Sequence, residues 1–439
     1  MPLDRRQFVQ SLAVASGAQL TPEPFGEMYA ETPEHSRPRI TEVEFVRLRG
    51  KRETWAGRHQ QPQVKPLDVY AELRPAPYHE SKEPKKVIEM AERLYLRIRS
   101  DAGVDGLYGA LDPNIVPIVL GELREFLLGK DALATEAIWD QLYRLNRHGR
   151  SGYYMMAVSA VDNALWDLRG RFFNVPVFRL LGGSTRQEVE AYGSCLGFSV
   201  EPELVAERCR KVQEMGFRYQ KWFFAYGLSS GSSGRDQNLQ LVKILRETLG
   251  EGTELMFDAF SGWDLQYALA WAQAAEPYHP YWIEEPFRSD QLENFAFLHR
   301  STSIPVATGE HFYARWEVLR FLQAEALSVV QADPEWCGGT SELMKICALV
   351  SAYGIRLIPH NHNIHAALHV VFSQSPALCP LMEFLINSQP SKSYFEKDFP
   401  SPQNGRFALP QRAGFGIEFD SAKVEDMSVF SRVNEMPGA

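Results

Sequence analysis

Cysteine is scarce in this sequence and follows no recognisable pattern. Five cysteines occur among 439 residues, an odd number without a Cys-x-x-Cys pair. Zinc sites and disulfide frameworks use paired or regularly spaced cysteines, so the sequence implies neither. We expect all five to be small, buried apolar side chains; they are Cys195, Cys209, Cys337, Cys347 and Cys379.

Long apolar runs and concentrated positive charge are also missing. No apolar stretch reaches the roughly 18 residues of a spanning helix, which excludes a membrane-embedded protein. The formal net charge is −9, and no stripe of lysine and arginine is present. Nucleic acid is therefore disfavoured as a partner, because phosphate binding needs a concentrated basic face.

The N-terminus carries a possible export signal. Arg5 and Arg6 precede a mildly apolar stretch at residues 9–20, and this arrangement resembles a twin-arginine signal. The apolar stretch is interrupted by polar residues and lacks a clean cleavage site. Two alternatives follow: a periplasmic protein, or a cytoplasmic one with a disordered leader. Either way, we set residues 1–37 apart from the folded chain.

The rest of the chain divides into a first domain, a barrel and a returning segment. Alternating residues near 40–48 and 94–99 predict strands, and residues 115–181 have helical periodicity, so residues 38–185 are predicted to form an α+β capping domain. The barrel is predicted at residues 186–395. A C-terminal segment, residues 396–439, is expected to return to the first domain through a short strand at 414–419.

The barrel is predicted from ionisable residues that end one apolar run after another. Their positions differ by 23 to 27 residues, which is the length of one strand, one helix and two short loops. A (β/α)8-type barrel has this repeat, and its chemistry lies at the C-terminal ends of the strands. The six residues are Asp258, Glu284, Glu310, Asp333, His360 and Glu383.

Three of these strand-end residues predict a metal site. Asp258, Glu284 and Glu310 would end the third, fourth and fifth strands and lie side by side. Three adjacent carboxylates repel one another unless a cation lies between them. Ligands that are all oxygen favour Mg2+ over zinc, so we expect Mg2+ as the cofactor.

The remaining ionisable residues predict proton transfer. His360 and Asp333 would lie on neighbouring strands, where the carboxylate orients the imidazole as a general base. Lys221 lies within the second strand, and Glu383 on the eighth faces the same space. A metal together with these groups suits proton abstraction next to a carboxylate, because the metal stabilises the resulting enediolate.

Several motifs together resemble the enolase superfamily, in particular its mandelate racemase subgroup. They are Ala157-Val-Ser-Ala-Val-Asp-Asn-Ala-Leu-Trp-Asp-Leu, Leu180-Leu-Gly-Gly, Trp282-Ile-Glu-Glu-Pro, Thr308-Gly-Glu, Gln331-Ala-Asp, Cys337-Gly-Gly-Thr and Pro359-His. The resemblance implies Asp258, Glu284 and Glu310 as Mg2+ ligands and Asp333 with His360 as the catalytic pair. It also implies Glu383 as an acid or hydrogen-bond donor to the substrate carboxylate.

The second strand departs from the racemase pattern. Racemases of this type carry Lys-x-Lys, whereas this chain has Lys221-Trp-Phe223. With one competent base, two-sided racemisation is disfavoured and dehydration by His360 is expected. Nearby residues resemble those of the L-rhamnonate dehydratase-like acid-sugar dehydratases. The alternatives are a cycloisomerase, epimerase or racemase acting through the same enolate, and a catalytically silent sugar-acid binding protein.

Substrate contacts are expected from two loops. The loop at residues 50–82 is expected to close over the barrel mouth, and the loop after Lys221 to lie beside it. Arg58, His59 and His311 are the predicted substrate-binding residues, because a cation and hydrogen-bond donors suit polyhydroxy acids. The expected partner is a small sugar acid, and we expect a homo-oligomer.

Overall fold

The computed structural model describes residues 37–436, of which those from Pro38 onward form one compact unit. The predicted leader at residues 1–37 therefore lies outside the described residues, apart from its last position. In the described chain, no helix combines the length and the apolar character needed to cross a membrane. All five cysteines are buried and unpaired, as expected.

A four-stranded antiparallel sheet is built from three strands near the start of the described chain and one near its end. Its strands are β1 (Ile40–Ala56), β2 (Lys85–Ser100), β3 (Gly106–Gly109) and β13 (Asp426–Phe430), in the order β13-β1-β2-β3. β1 and β2 pair as far as Ala56 and Lys85, so residues 50–56, predicted to begin a loop, belong to a long hairpin. The loop itself occupies residues 57–84 and contains two short 3-10 turns.

Helices pack on this sheet around a shared apolar core. The longest, Gly152–Phe172, is buried over most of its circumference, as expected for a helix between two layers. The helices of this part are α1 (Val116–Ile118), α2 (Arg124–Leu127), α3 (Thr135–Leu145), α4 (Gly152–Phe172) and α5 (Val177–Leu180).

The second part is a barrel of eight parallel strands, which confirms the predicted fold class. The order β10-β9-β8-β7-β6-β5-β4-β11 returns the last strand beside the first. The Leu357 amide of β10 donates to the carbonyl of Leu378, in the segment that leads into β11, at 2.8 Å. The strands are β4 (Glu188–Ser194), β5 (Tyr219–Phe223), β6 (Glu254–Asp258), β7 (Trp282–Glu284), β8 (Val306–Thr308), β9 (Val329–Val330), β10 (Arg356–Leu357) and β11 (Leu381–Leu385).

Seven helices fill the gaps between successive barrel strands, and a short one follows the last strand. They are α6 (Pro202–Glu214), α7 (Gly231–Leu249), α8 (Leu265–Ala275), α9 (Leu292–Ser301), α10 (Arg315–Gln323), α11 (Gly339–Ala352), α12 (Ile364–Ser373) and α13 (Ser388–Lys392). The strand β12 (Arg406–Ala408) pairs antiparallel with the first residues of β4, Glu188 to Glu190.

The C-terminal segment returns to the first sheet, but through a different strand from the one predicted. The strand is β13, not residues 414–419. Gly414 and Gly416 have φ values of 66° and 76°, which interrupt an extended chain because such values lie in the left-handed region. Phe415 and Ile417 instead bury their side chains in the core of the first part.

Candidate active site

Strand periodicity directs the ionisable residues into the barrel. Met256 and Trp282 belong to a small apolar cluster inside the ring, whereas Leu255 and Ile283 pack outward against the helices. Because side chains alternate along a strand, a residue two positions beyond an inward one also points inward. Asp258 and Glu284 follow Met256 and Trp282 in this way, and both are at most 2% exposed.

Lys221 lies at the centre of this buried cluster. Its Nζ atom is 2.5 Å from Glu284 Oε1, 3.0 Å from Glu383 Oε1 and 3.4 Å from Asp258 Oδ2. Burial alone would lower the pKa of Lys221, but the carboxylates raise it well above its usual value. The lysine is therefore a fixed cation that joins three carboxylates.

The carboxylates outnumber the cations that this cluster provides. Burial raises the pKa of Asp258 well above its usual value, with repulsion from Glu284 adding to the effect. Burial likewise raises the pKa of Glu310 to about 7. Raised pKa values mark carboxylates whose charge is incompletely balanced. A further cation fits here, and the oxygen-rich donor set suits Mg2+.

Glu285, which lies beside Glu310 at the barrel mouth, is a site residue that was not predicted from the sequence. Its carboxylate, that of Glu310 and a ring nitrogen of His311 offer ligand atoms within 4.8 Å of one another. The backbone of Glu285 has φ of 39°, which breaks the strand alternation and explains how two successive glutamates serve one site. The Glu284-Glu285 pair at a strand end was the available signal.

His360 and Asp333 form the predicted imidazole–carboxylate pair. Nδ1 of His360 lies 2.7 Å from Asp333 Oδ2, while Nε2 lies 3.7 Å from Glu310 Oε2 and 4.0 Å from Glu383 Oε2. Burial lowers the pKa of His360, but the surrounding carboxylates outweigh it and raise the value to about 10. The two nitrogens thus have separate roles, since one is held and the other faces the cluster.

Glu383 is ionised in this arrangement. Burial raises its pKa, but Lys221 and His360 more than offset that effect and lower the value to about 2. The amide of Asn361 also donates to Glu383 Oε2 at 3.1 Å. A carboxylate held in this way accepts hydrogen bonds, so the donor role suggested for it requires a proton from a neighbour.

The three predicted substrate contacts fall in two different places. His311 belongs to the cluster: its Nδ1 is 3.1 Å from Glu285 Oε1, which contributes to raising its pKa to about 9 against the opposing effect of burial. Arg58 instead pairs with Glu80 at 3.6 Å. His59 stacks on Phe198 at 4.7 Å, and burial lowers its pKa to about 4.

The loop that carries Arg58 and His59 lies on the mouth side of the barrel. Gln61 donates its amide to the Gly197 carbonyl at 3.0 Å, beyond β4, and Val64 donates to Phe224 at 2.8 Å, beyond β5. Both acceptors follow the C-terminal ends of their strands. The loop therefore packs on the rim, while its two predicted residues contact other loop and helix residues in the structure.

Helix α4 holds the turn that follows Asp333. Asp162 Oδ2 accepts from the Ser341 amide at 2.9 Å, and Asn163 Oδ1 accepts from the Thr340 amide at 2.8 Å. These amides belong to the first turn of α11, where N–H groups have no acceptor within the helix itself. Asn163 Nδ2 also donates to the Pro334 carbonyl at 3.0 Å. A helix of the first domain thus caps the barrel helix that begins just beyond the proposed catalytic turn.

Gly339 makes this capping contact possible. Its φ is 86°, and an added Cβ atom would lie 2.4 Å from Asp162 Oδ2. No side chain fits there without displacing the carboxylate. The Asp162-Asn163 and Gly338-Gly339-Thr340 motifs are therefore two halves of one contact.

Comparison with known proteins agrees with this architecture. Residues 71–182 match the family model described as "Mandelate racemase / muconate lactonizing enzyme, N-terminal domain", and residues 204–423 match "Enolase C-terminal domain-like". The L-rhamnonate dehydratase of Saccharopolyspora erythraea is 30% identical over 375 residues, which cover 82% of this chain and 92% of that protein.

Solved structures give the same fold. The L-rhamnonate dehydratase of Gibberella zeae has a TM-score of 0.74 and 25% identity, covering 88% of this chain and 95% of that one; a second structure of rhamnonate dehydratase from the same organism is complexed with Mg. The 3,6-anhydro-D-galactonate cycloisomerase of Zobellia galactanivorans has a TM-score of 0.70 and 24% identity, covering 88% and 100%. The fold alone therefore does not separate dehydration from cycloisomerisation.

Proposed function

We propose that this chain, which belongs to the mandelate racemase / muconate lactonizing enzyme family of the enolase superfamily, is a Mg2+-dependent sugar-acid dehydratase. Its substrate is an aldonate that carries hydroxyl groups on C2 and C3, and its product is the 2-keto-3-deoxy acid. L-Rhamnonate is the first candidate substrate, because relatives that match most of the chain are described as L-rhamnonate dehydratases.

One observation carries the choice of dehydration over racemisation. Lys221 is held by three carboxylates within 3.4 Å, and Phe223 replaces the second lysine of a two-base site. His360, held by Asp333, is then the proposed base on the opposite side. A single base can remove the α-proton from one face of the substrate, so inversion at C2 is disfavoured.

The metal would be held by Asp258, Glu284 and Glu310. Glu285 and His311 offer ligand atoms within 4.8 Å of those of Glu310. When bound, Mg2+ supplies positive charge that stabilises the enediolate, which is worth several kcal/mol in such sites. Glu310 would then share its charge with the metal and raise the pKa of His360 less. That change favours the neutral imidazole that a base requires.

His360 performs both proton transfers in this proposal. Nε2 takes the proton from C2, while Asp333 stabilises the imidazolium through Nδ1. The C3–O bond then breaks, and the same imidazolium gives its proton to the departing hydroxide, which leaves as water. The resulting enol tautomerises to the 2-keto-3-deoxy acid.

Purified protein with Mg2+ would be assayed for 2-keto acid formation from a set of aldonic and aldaric acids that includes L-rhamnonate. We expect turnover of at least one aldonate by the wild type. A catalytically silent binding protein would form no 2-keto acid from any of them, and a cycloisomerase or epimerase would give an isomer without losing water.

The base is tested separately with His360→Asn in deuterated water. We expect this variant to lose both dehydration and exchange of the C2 hydrogen, because no second base serves the site. His79→Asn is the matched control, since His79 is an exposed histidine paired with Glu201. Continued exchange in His360→Asn would reject the one-base mechanism and make Lys221 the leading candidate.

A further inference from the structure

A second imidazole–carboxylate pair lies beside the first. Nδ1 of His362 contacts Glu335 Oε2. Each member of this second pair lies two residues after the corresponding member of the Asp333–His360 pair. The two pairs are also joined, because the His362 amide donates to Asp333 Oδ2 at 2.8 Å and the Glu335 amide to Asp333 Oδ1 at 2.6 Å. The proposed reaction at C2 and C3 does not use this second pair.

Both imidazoles flank one indole. The Trp336 ring centroid lies 5.0 Å from that of His360 and 5.4 Å from that of His362, with tilts of 34° and 41°. Trp336 is only partly buried. The two imidazoles therefore lie along a common aromatic surface next to the barrel mouth.

His362 also lines a cavity of about 360 Å3 between the first sheet and the barrel. Lys392 and Arg93 line the same cavity, facing Leu111 and Asp112. Within residues 37–436, Nε2 of His362 has no hydrogen-bond partner, and the Lys392 ammonium has one, the His362 carbonyl at 2.8 Å. An ammonium carries three donors, so two of them remain for a ligand in this cavity.

We infer that the Glu335–His362 pair and Lys392 form a subsite for the distal end of the sugar acid. The inference rests on the proposed function, and it assigns recognition of the C5 and C6 end to these residues. His362 Nε2 and the Lys392 ammonium bind the C5 hydroxyl, which L-rhamnonate has and a four-carbon acid lacks, while Glu335 acts as a positioning residue that holds the imidazole.

The length of the substrate's carbon chain agrees with this assignment. Two residues of chain span at most about 7 Å, and an extended carbon chain advances about 1.3 Å per bond. C5 and C6 lie three and four bonds from C2, so in an extended aldonate they are about 4 and 5 Å away, which is within that span. A substrate with C2 at His360 places its fifth and sixth carbons near His362, and a four-carbon acid ends before reaching it.

The test compares two acids of different length in the same variant. L-Rhamnonate has six carbons, and D-erythronate keeps the configuration at C2 and C3 but ends at C4. For the wild type we expect kcat/KM to favour L-rhamnonate. For His362→Leu and Lys392→Met we expect kcat/KM for L-rhamnonate to fall about 10- to 100-fold, as for a lost hydrogen bond, with little change for D-erythronate. Glu335→Gln should act in the same direction, more weakly.

The ratio of the two kcat/KM values separates recognition from damage to the fold. A variant that is merely misfolded loses both activities together and leaves the ratio unchanged, and that result would overturn the subsite. His148→Leu is the control, since His148 is exposed and lies outside both loops expected to contact substrate, and it should keep the wild-type ratio. Equal use of both acids by the wild type would also overturn the subsite. A wild type that dehydrates neither these acids nor any other aldonate would overturn the proposed function itself.

Discussion

The contact between α4 and α11 gives a prediction that links stability to the catalytic turn. Asp162 is 2% exposed and accepts two hydrogen bonds from Ser341, one from the amide and one from the hydroxyl at 2.6 Å. Asp162→Ala removes both acceptors. Ser341 itself is 6% exposed, so water does not readily replace them.

The magnitude follows from the donors left without partners. A buried donor that loses its partner costs about 1–3 kcal/mol, and loss of a helix cap costs about 0.5–2 kcal/mol. The Ser341 hydroxyl retains the bond from Trp166 at 2.8 Å, so only part of its bonding is lost. We expect Asp162→Ala to lower the free energy of unfolding by about 3 kcal/mol.

Function should fall with stability, because the capped helix begins just after the turn that carries Asp333 and Glu335. A displacement of about 1 Å near reacting groups can cost on the order of 100-fold in rate. We therefore expect kcat to fall at least about tenfold under conditions where the variant is still folded.

Urea unfolding at a fixed Mg2+ concentration measures the first effect, and dehydration measured well below the unfolding midpoint measures the second. Asp140→Ala is the control, since Asp140 pairs with Arg144 on an exposed helix face and such pairs contribute about 0–1 kcal/mol. A loss below about 1 kcal/mol for Asp162→Ala, or an unchanged kcat, would refute the proposed coupling.

Three further predictions concern charge. Burial raises the pKa of Asp162 from 3.8 to about 7, so the stability that the protonated carboxyl contributes is complete below pH 4 and is lost as the pH rises through 7. The stability advantage of the wild type over Asp162→Asn, measured by urea unfolding, should therefore be larger at pH 5 than at pH 8. An advantage that is the same at both pH values would contradict this. Lys221→Met should lower stability by about 3–5 kcal/mol without metal, because it leaves buried carboxylates unpaired, and added Mg2+ should restore part of the loss. Lys243→Met, which removes an exposed partner of Glu247, should change urea stability by less than about 0.5 kcal/mol. Excess EDTA should abolish turnover and Mg2+ restore it, and Glu284→Gln should weaken Mg2+ binding measured by calorimetry; full activity in EDTA would contradict the metal assignment.

The barrel and the main strand-end residues could be predicted because two simple periods govern them. The spacing of about 25 residues reports a repeated strand and helix, and the period of two within a strand reports which side chains face inward. Asp258 and Glu284 follow both periods, Lys221 follows the period of two within its strand, and the structure brings the two carboxylates together around the Lys221 ammonium. The position of a side chain on a regular strand can therefore be predicted from its spacing in the sequence.

The residues that were missed depend on irregular backbone or on distant chain segments. Glu285 joins the cluster because its φ of 39° breaks the strand period. The Glu335–His362 pair forms only because the turns after β9 and β10 lie side by side, and no local pattern reports that pairing. Conversely, His59 has a side chain suited to sugar acids, but its contacts are with Phe198 and Arg208. The residue type of His59 does not show whether its side chain faces the barrel mouth.

The contact of Asp162 with Gly339 shows how these two kinds of information combine. Each motif taken alone has an ordinary local explanation, an aspartate in a helix and a glycine at a helix start. Together they require that α4 lie against the first turn of α11, because the carboxylate occupies the space that a side chain at position 339 would fill. Since that turn follows Asp333, the packing of the first domain also determines where the proposed base partner lies. In the proposed mechanism, the capping domain would position Asp333 through α4, and the expected loss of kcat in Asp162→Ala follows from that connection.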